Sequence, residues 1–121
     1  MNDKKLPNKN LSIEALIDEL AEMLVNKNLK LAVAESCTGG MLAQQCTARS
    51  GSTKWFECGF VTYSNASKTS ILGVEVKVLS EHGAVSLQVA EQMAMGVLRN
   101  CDADISASIT GIAGPSGGSK I

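Results

Sequence analysis

The chain has 121 residues, 45% of them hydrophobic, which suits one domain built round one core. Its net charge of −1, scattered lysines and 3% aromatics offer neither a phosphate-tracking face nor a base-stacking platform, which argues against nucleic acid as a partner. No apolar run approaches the roughly 20 residues of a membrane span and the polar N-terminus lacks a signal-peptide stretch, so no membrane partner and a cytoplasmic location are expected.

Residues 1–10 are lysine- and asparagine-rich without periodicity and read as a mobile tail, leaving 11–121 as a single domain without linker or internal repeat. Ser12 has the place of an N-cap, with Glu14 in the first turn. Ile13, Leu16, Ile17, Leu20 and Leu24 then recur at helical spacing, and Leu11 with Leu16 forms a staple. Residues 31–34 are apolar on both faces, the pattern of a strand buried between helical layers. A helix over 40–48 follows, closed by Arg49-Ser50-Gly51-Ser52. Residues 59–63 are β-rich, and Ser64 caps a short helix running through Lys68 to Leu72 and stopping at Gly73. The next helix starts at Ser86 with Val89, Met93 and Val97 on one face. Residues 105–110 read as another strand, entering a glycine-rich segment over 111–118. Strands alternating with helices predict an α/β layered domain, in which ligands gather at the loops after strand ends. Three junctions meet that description: 36–40, 63–68 and 110–118.

Ser36 lies where an apolar strand breaks into Gly39 and Gly40 before a new helix, next to backbone N–H groups that a helix start leaves unpaired. A nucleophile fits there, and so does the commoner use of Ser36 or Thr38 as a helix cap. Cys37 is an alternative nucleophile, since a thiol at a helix N-terminus ionises more easily. A serine nucleophile needs a proton acceptor. The single histidine, His82, lies in the polar turn Ser80-Glu81-His82-Gly83, away from a strand tip. Lys68 is then the candidate base if burial keeps it partly neutral, with Tyr63 on the same proton path; otherwise it is a surface helix lysine. The glycines after Thr110 let backbone N–H groups approach an anionic ligand, although the G-x-x-x-x-G-K-S/T pattern is missing and a flexible connection reads the same. Glu35 either orients a ligand or ends its strand. Cys37, Cys46, Cys58 and Cys101 contain no C-x-x-C pair and read as buried free thiols rather than zinc ligands or disulfides.

Four stretches occur together: Ala34-Glu35-Ser36-Cys37-Thr38-Gly39-Gly40; Trp55-Phe56-Glu57-Cys58-Gly59-Phe60-Val61-Thr62-Tyr63-Ser64-Asn65 with Lys68; His82-Gly83-Ala84-Val85-Ser86; and Thr110-Gly111-Ile112-Ala113-Gly114-Pro115 with Gly117-Gly118. In order and spacing they resemble the nicotinamide-nucleotide amidohydrolases, the C-terminal domain of the competence-damage-inducible protein CinA. The resemblance implies a three-layer α/β/α sandwich around a mixed, largely parallel sheet. It implies deamidation of nicotinamide mononucleotide to nicotinic acid mononucleotide and ammonia in pyridine nucleotide salvage, with no metal and no cofactor, by a homodimer. By that likeness Ser36 is the nucleophile, Lys68 its general base and Tyr63 an assisting hydroxyl. Glu35, Cys37, Thr38, Gly39, Gly40, Thr110, Gly111, Ala113 and Gly114 line the substrate. Family members continue past Gly117-Gly118 with a further strand, a segment bearing a substrate-contacting arginine and a closing helix. An exposed sheet edge, a mobile end over 115–121 and self-association are therefore expected. The alternative is a short, catalytically silent homologue that binds a nucleotide or a partner chain.

Overall fold

The computed structural model describes residues 11–112. The expected tail over 1–10, Ala113, Gly114 and the expected mobile end over 115–121 lie outside the described residues. Helix α1, Ile13–Lys27, opens on Ser12, whose hydroxyl accepts the Ala15 N–H at 3.1 Å. It closes on Asn28, whose left-handed backbone (φ 56°) ends the helix. The chain then enters β1, Leu31–Glu35, in which all five residues are buried. That burial follows from position. Strand β1 lies between β2, Phe56–Val61, and β3, Ile105–Ile109, and pairs parallel with both.

The side chains of β1 alternate between two cores. Leu31 and Val33 join Ile17, Leu24, Cys46 and Trp55 beneath α1 and α2, Met41–Thr47. Ala32 and Ala34 join Leu72, Val74, Val89, Met93 and Val97 beneath α3, Asn65–Leu72, and α5, Leu87–Asn100. The small alanines let α5 sit close to the sheet. The result is the expected three-layer α/β/α sandwich. Its described strands are all parallel, so the antiparallel element of a mixed sheet is not found among the described residues. Connection β1 to β2 runs one way across the sheet and β2 to β3 runs back past β1; right-handed crossovers in opposite directions put their helices on opposite faces, as seen.

Two elements depart from expectation. Strand β2 starts at Phe56 rather than at 59, because Phe56 pairs with Leu31 and packs in the core beneath α1 and α2 and, past a register shift, Cys58 and Phe60 face the α3–α5 core, although Glu57 and Cys58 carry little strand propensity. Helix α4, Val76–His82, had no counterpart in the sequence reading: only Val78 and Leu79 pack against the core, and its N-cap Glu75 makes no side-chain capping bond. His82 is therefore the last residue of α4, exposed, instead of part of a polar turn.

Helix α5 meets its expectation. Ser86 caps it through the Val89 N–H at 3.2 Å, and Val89, Met93 and Val97 are fully buried. Gly96 lets α3 and α5 touch, since a Cβ there would lie 2.0 Å from the Leu72 carbonyl oxygen. The hydroxyls of Ser106 and Ser108 on β3 donate to the α5 carbonyls of Ala94 and Ala90 at 2.8 and 2.6 Å. The other face of β3 carries exposed Ile105 and Ala107, and among the described residues β3 is a sheet edge. No described helix is long and apolar enough to cross a membrane.

Candidate active site

The carboxyl ends of all three strands point to one side of a parallel sheet, which is where the three sequence junctions meet. Ser36 directly follows β1. Its N–H donates to the Ile109 carbonyl at 3.0 Å, and the Glu35 carbonyl accepts the Thr62 N–H at 2.9 Å, so the backbone around Ser36 is clamped by both neighbouring strands. The chain then reverses into α2 through Gly39 (φ 62°) and Gly40 (φ 111°), a conformation that other residues adopt only with strain.

Glu35 holds this turn from below. One carboxylate oxygen accepts from Thr38 Oγ1 at 2.6 Å, from the Gly40 N–H at 3.2 Å and from the Leu42 N–H at 3.0 Å; the other accepts from the Ala43 N–H at 2.8 Å. Burial pushes the carboxyl pKa up, but these four hydrogen bonds outweigh it and hold Glu35 below the usual value. The cap of α2 is thus Glu35, not Ser36 or Thr38. Both Glu35 oxygens are engaged by its own loop. Ser36 is left with a different partner: its hydroxyl donates to the Tyr63 carbonyl at 3.4 Å, a long contact for an O–H···O bond.

Lys68 Nζ donates to the same carbonyl at 2.9 Å. Local structure explains why. Ser64 caps α3 through the Ser67 N–H at 3.0 Å, Ser67 Oγ returns to the Ser64 carbonyl at 2.8 Å, and the Lys68 N–H reaches that carbonyl at 3.1 Å. The Tyr63–Ser64 peptide is thereby fixed against the start of α3, and Lys68 folds back over it. Lys68 is 1% exposed, and among the described residues no carboxylate pairs with it, the one ion pair there joining Arg49 and Asp18. Burial pushes its ammonium below the ordinary lysine value of 10.5, against a weaker opposing pull from the Cys37 sulfur. It is not the surface lysine that its helix position also allowed. Tyr63 enters this cluster through its carbonyl, while the residue as a whole is 70% exposed.

The third junction closes the other side. Thr110 Oγ1 donates to the Ala84 carbonyl at 2.9 Å and so ties the link between α4 and α5 to the end of β3. Gly111 lies against the half-buried Cys37: a Cβ there would meet Sγ at 3.3 Å. Exposed His82 makes none of the hydrogen bonds that join this cluster. Two features escaped sequence reasoning. The Tyr63 carbonyl is a backbone group, which no residue type announces. Thr62 is fully buried, with a hydroxyl that has no partner among the described residues; continuing the inward alternation of Cys58 and Phe60 by two residues would have placed it there.

A serine hydroxyl and a buried, unpaired amine on one acceptor form the pattern of an activated nucleophile and its base. The chain is 50% identical over 101 residues to the nicotinamide-nucleotide amidohydrolase PncC of Enterobacter agglomerans, a match covering 84% of this chain and 62% of that protein. A CinA-like protein of Chloroherpeton thalassium is 48% identical over 106 residues, 88% of this chain but 25% of the relative. The chain thus spans less than two thirds of the length of these curated relatives. A crystal structure of a competence-damaged protein (CinA) superfamily member from Escherichia coli superimposes with a TM-score of 0.87 at 41% identity, over 95% of this chain and 66% of that one. The competence/damage-inducible protein CihA of Agrobacterium tumefaciens gives a TM-score of 0.85 at 41% identity, over 98% of this chain and 70% of that one. The family model for the CinA C-terminal domain matches residues 13–121, and the chain belongs to that family.

Proposed function

We propose that this chain hydrolyses the carboxamide of nicotinamide mononucleotide to nicotinic acid mononucleotide and ammonia, in pyridine nucleotide salvage in the cytoplasm, with Ser36 as nucleophile and Lys68 as general base. The observation that carries the reading is the convergence of Ser36 Oγ and the buried Lys68 Nζ on the Tyr63 carbonyl. Neutral Lys68 gives one N–H to that carbonyl and keeps its lone pair for the serine proton. Ser36 Oγ then attacks the carboxamide carbon. The Lys68 ammonium returns the proton to the departing nitrogen, ammonia leaves, and an ester on Ser36 remains. Water cleaves the ester as Lys68 takes its proton, releasing the carboxylate.

The oxyanion formed on the way needs donors. Within the Ser36 turn, Glu35 takes the Gly40, Leu42 and Ala43 N–H groups, and the N–H groups of Gly39 and Met41 go to the Ser36 and Thr38 carbonyls. The N–H groups of Cys37 and Thr38 have no such acceptor among the described residues, and we assign them to the oxyanion. Gly39, Gly40, Thr110, Gly111, Ala113 and Gly114 are assigned to the substrate walls, and the Tyr63 hydroxyl, on its exposed side chain, to proton transfer from the substrate side. Homodimerisation belongs to the same reading and is supported by exposed Val76, Val85 and Leu87.

Ammonia release from nicotinamide mononucleotide, measured on this chain and on its Ser36→Ala and Cys37→Ala variants, tests the reading. Turnover that survives in Cys37→Ala and vanishes in Ser36→Ala is expected. A chain with no turnover that still binds the nucleotide would favour the silent homologue instead.

A further inference from the structure

Several hydroxyls line the side of the sheet that α5 covers, and most of them are bonded. Ser106 and Ser108 on β3 donate to the Ala94 and Ala90 carbonyls, and Thr110 just beyond it donates to the Ala84 carbonyl. Thr62 differs. It is fully buried, and its Oγ1 is the one buried side-chain oxygen without a hydrogen-bond partner among the described residues. Leaving a buried hydroxyl unpaired costs stability, so the group calls for a reason.

Its place supplies one. The Thr62 N–H donates to the Glu35 carbonyl at 2.9 Å, which carries the β1–β2 pairing one step past its last pair, Glu35 with Val61. Thr62 therefore stands beside Ser36, at the usual strand spacing of about 4.8 Å. Both side chains take the same face. Val61 packs at Gly40, where α2 begins, and the Glu35 carboxylate holds α2, so the next residue of each strand turns to the α3–α5 side. From α3, Lys68 Nζ reaches the Tyr63 carbonyl, the group that also takes the single long contact of Ser36 Oγ, at 3.4 Å. Two poorly bonded hydroxyls are thus neighbours, next to the buried amine.

We propose that Thr62 is a positioning residue for Ser36: after rotation about its Cα–Cβ bond its hydroxyl donates to Ser36 Oγ and holds the serine in the rotamer whose hydrogen points at Lys68. The role rests on the reading of Ser36 as nucleophile and Lys68 as base. A serine oxygen accepts through two lone pairs, so one goes to the Thr62 hydrogen and the other stays free for the carboxamide carbon. Ser36 then gives up its long contact with the Tyr63 carbonyl and leaves that acceptor to Lys68.

Labelling of Ser36 by a fluorophosphonate, a reagent that bears no nicotinamide, tests Thr62 apart from the choice of substrate. Of the four cysteines expected to be buried only Cys46 is, and Cys37 is half-buried, so the label is located by mass spectrometry of peptide 31–49. Thr62→Val keeps the side-chain shape and removes the hydroxyl. It is expected to unfold at the same or a higher urea concentration than the unsubstituted chain, yet to label Ser36 about tenfold more slowly, with Thr62→Ser within about threefold of the unsubstituted rate. With nicotinamide mononucleotide the loss in Thr62→Val should fall on kcat and leave KM unchanged. Thr62→Ala carries the comparison if Thr62→Val does not fold. Labelling at the unsubstituted rate in the chain without the hydroxyl would overturn the role of Thr62 and leave Ser36 as nucleophile, as would labelling in Thr62→Ser as slow as in Thr62→Val. A folded, unsubstituted chain that takes no label on Ser36 would overturn both.

Discussion

A lysine that is 1% exposed and has no carboxylate partner among the described residues is expensive as a cation, and the proposed role of Lys68 as a base draws on that expense. Its folded pKa lies below the unfolded 10.5, so between the two values the unfolded chain binds more protons. The folded state is thus penalised in full below the lowered value and recovers as pH rises through it towards 10.5. Lys68→Met should remove the penalty: urea unfolding is expected to show a more stable protein at neutral pH, a gap closing above roughly pH 10, and no turnover. For Ser36→Ala the expectation is reversed, with kcat down about 10⁴-fold or more and stability changed by less than about 1 kcal/mol, as read by paired kinetics and unfolding. Glu35 behaves as a structural acid. Its stabilisation is complete above the unfolded value of 4.5 and is lost as pH falls through its depressed folded value. Glu35→Gln sets an NH₂ group against N–H donors and should cost about 3 kcal/mol, with a flatter acid limb in its stability profile.

At the scale of elements, what could be read from sequence was what is written in local chemistry. The caps at Ser12, Ser64 and Ser86 each make the bond that their position implies, and the two-faced apolar run of β1 marks a strand covered on both sides. Helix α4 was missed because its stability is borrowed: two inward residues and no capping side chain give it tertiary support but little periodicity. The Ser36 cap ambiguity also resolved through a longer-range partner, the carboxylate of Glu35 reaching four donors up to eight positions ahead. Gly96 shows the same limit, since a glycine inside a helix says nothing of which neighbour needs the space. Gly96→Ala would drive a methyl into the Leu72 carbonyl. It is expected to cost about 3 kcal/mol in urea unfolding and, by displacing α3, to lower kcat together with stability.

Over the whole molecule, the layered parallel architecture brings residues from three distant junctions to one end of the sheet, and each layer adds one part of the proposed dyad. The α2 side gives the rigid turn that carries Ser36; the α3–α5 side gives the buried setting that lowers the Lys68 pKa. The convergence of three strand ends was legible from alternating strands and helices. The common acceptor was not, because sequence order says nothing of where a backbone carbonyl points. The most direct test of the Ser36–Lys68 dyad is acid quenching during turnover of nicotinamide mononucleotide, with mass spectrometry of the tryptic peptide 31–49. An acyl group on Ser36 is the expected result, and an acyl group on Cys37 with Ser36 unmodified would contradict it.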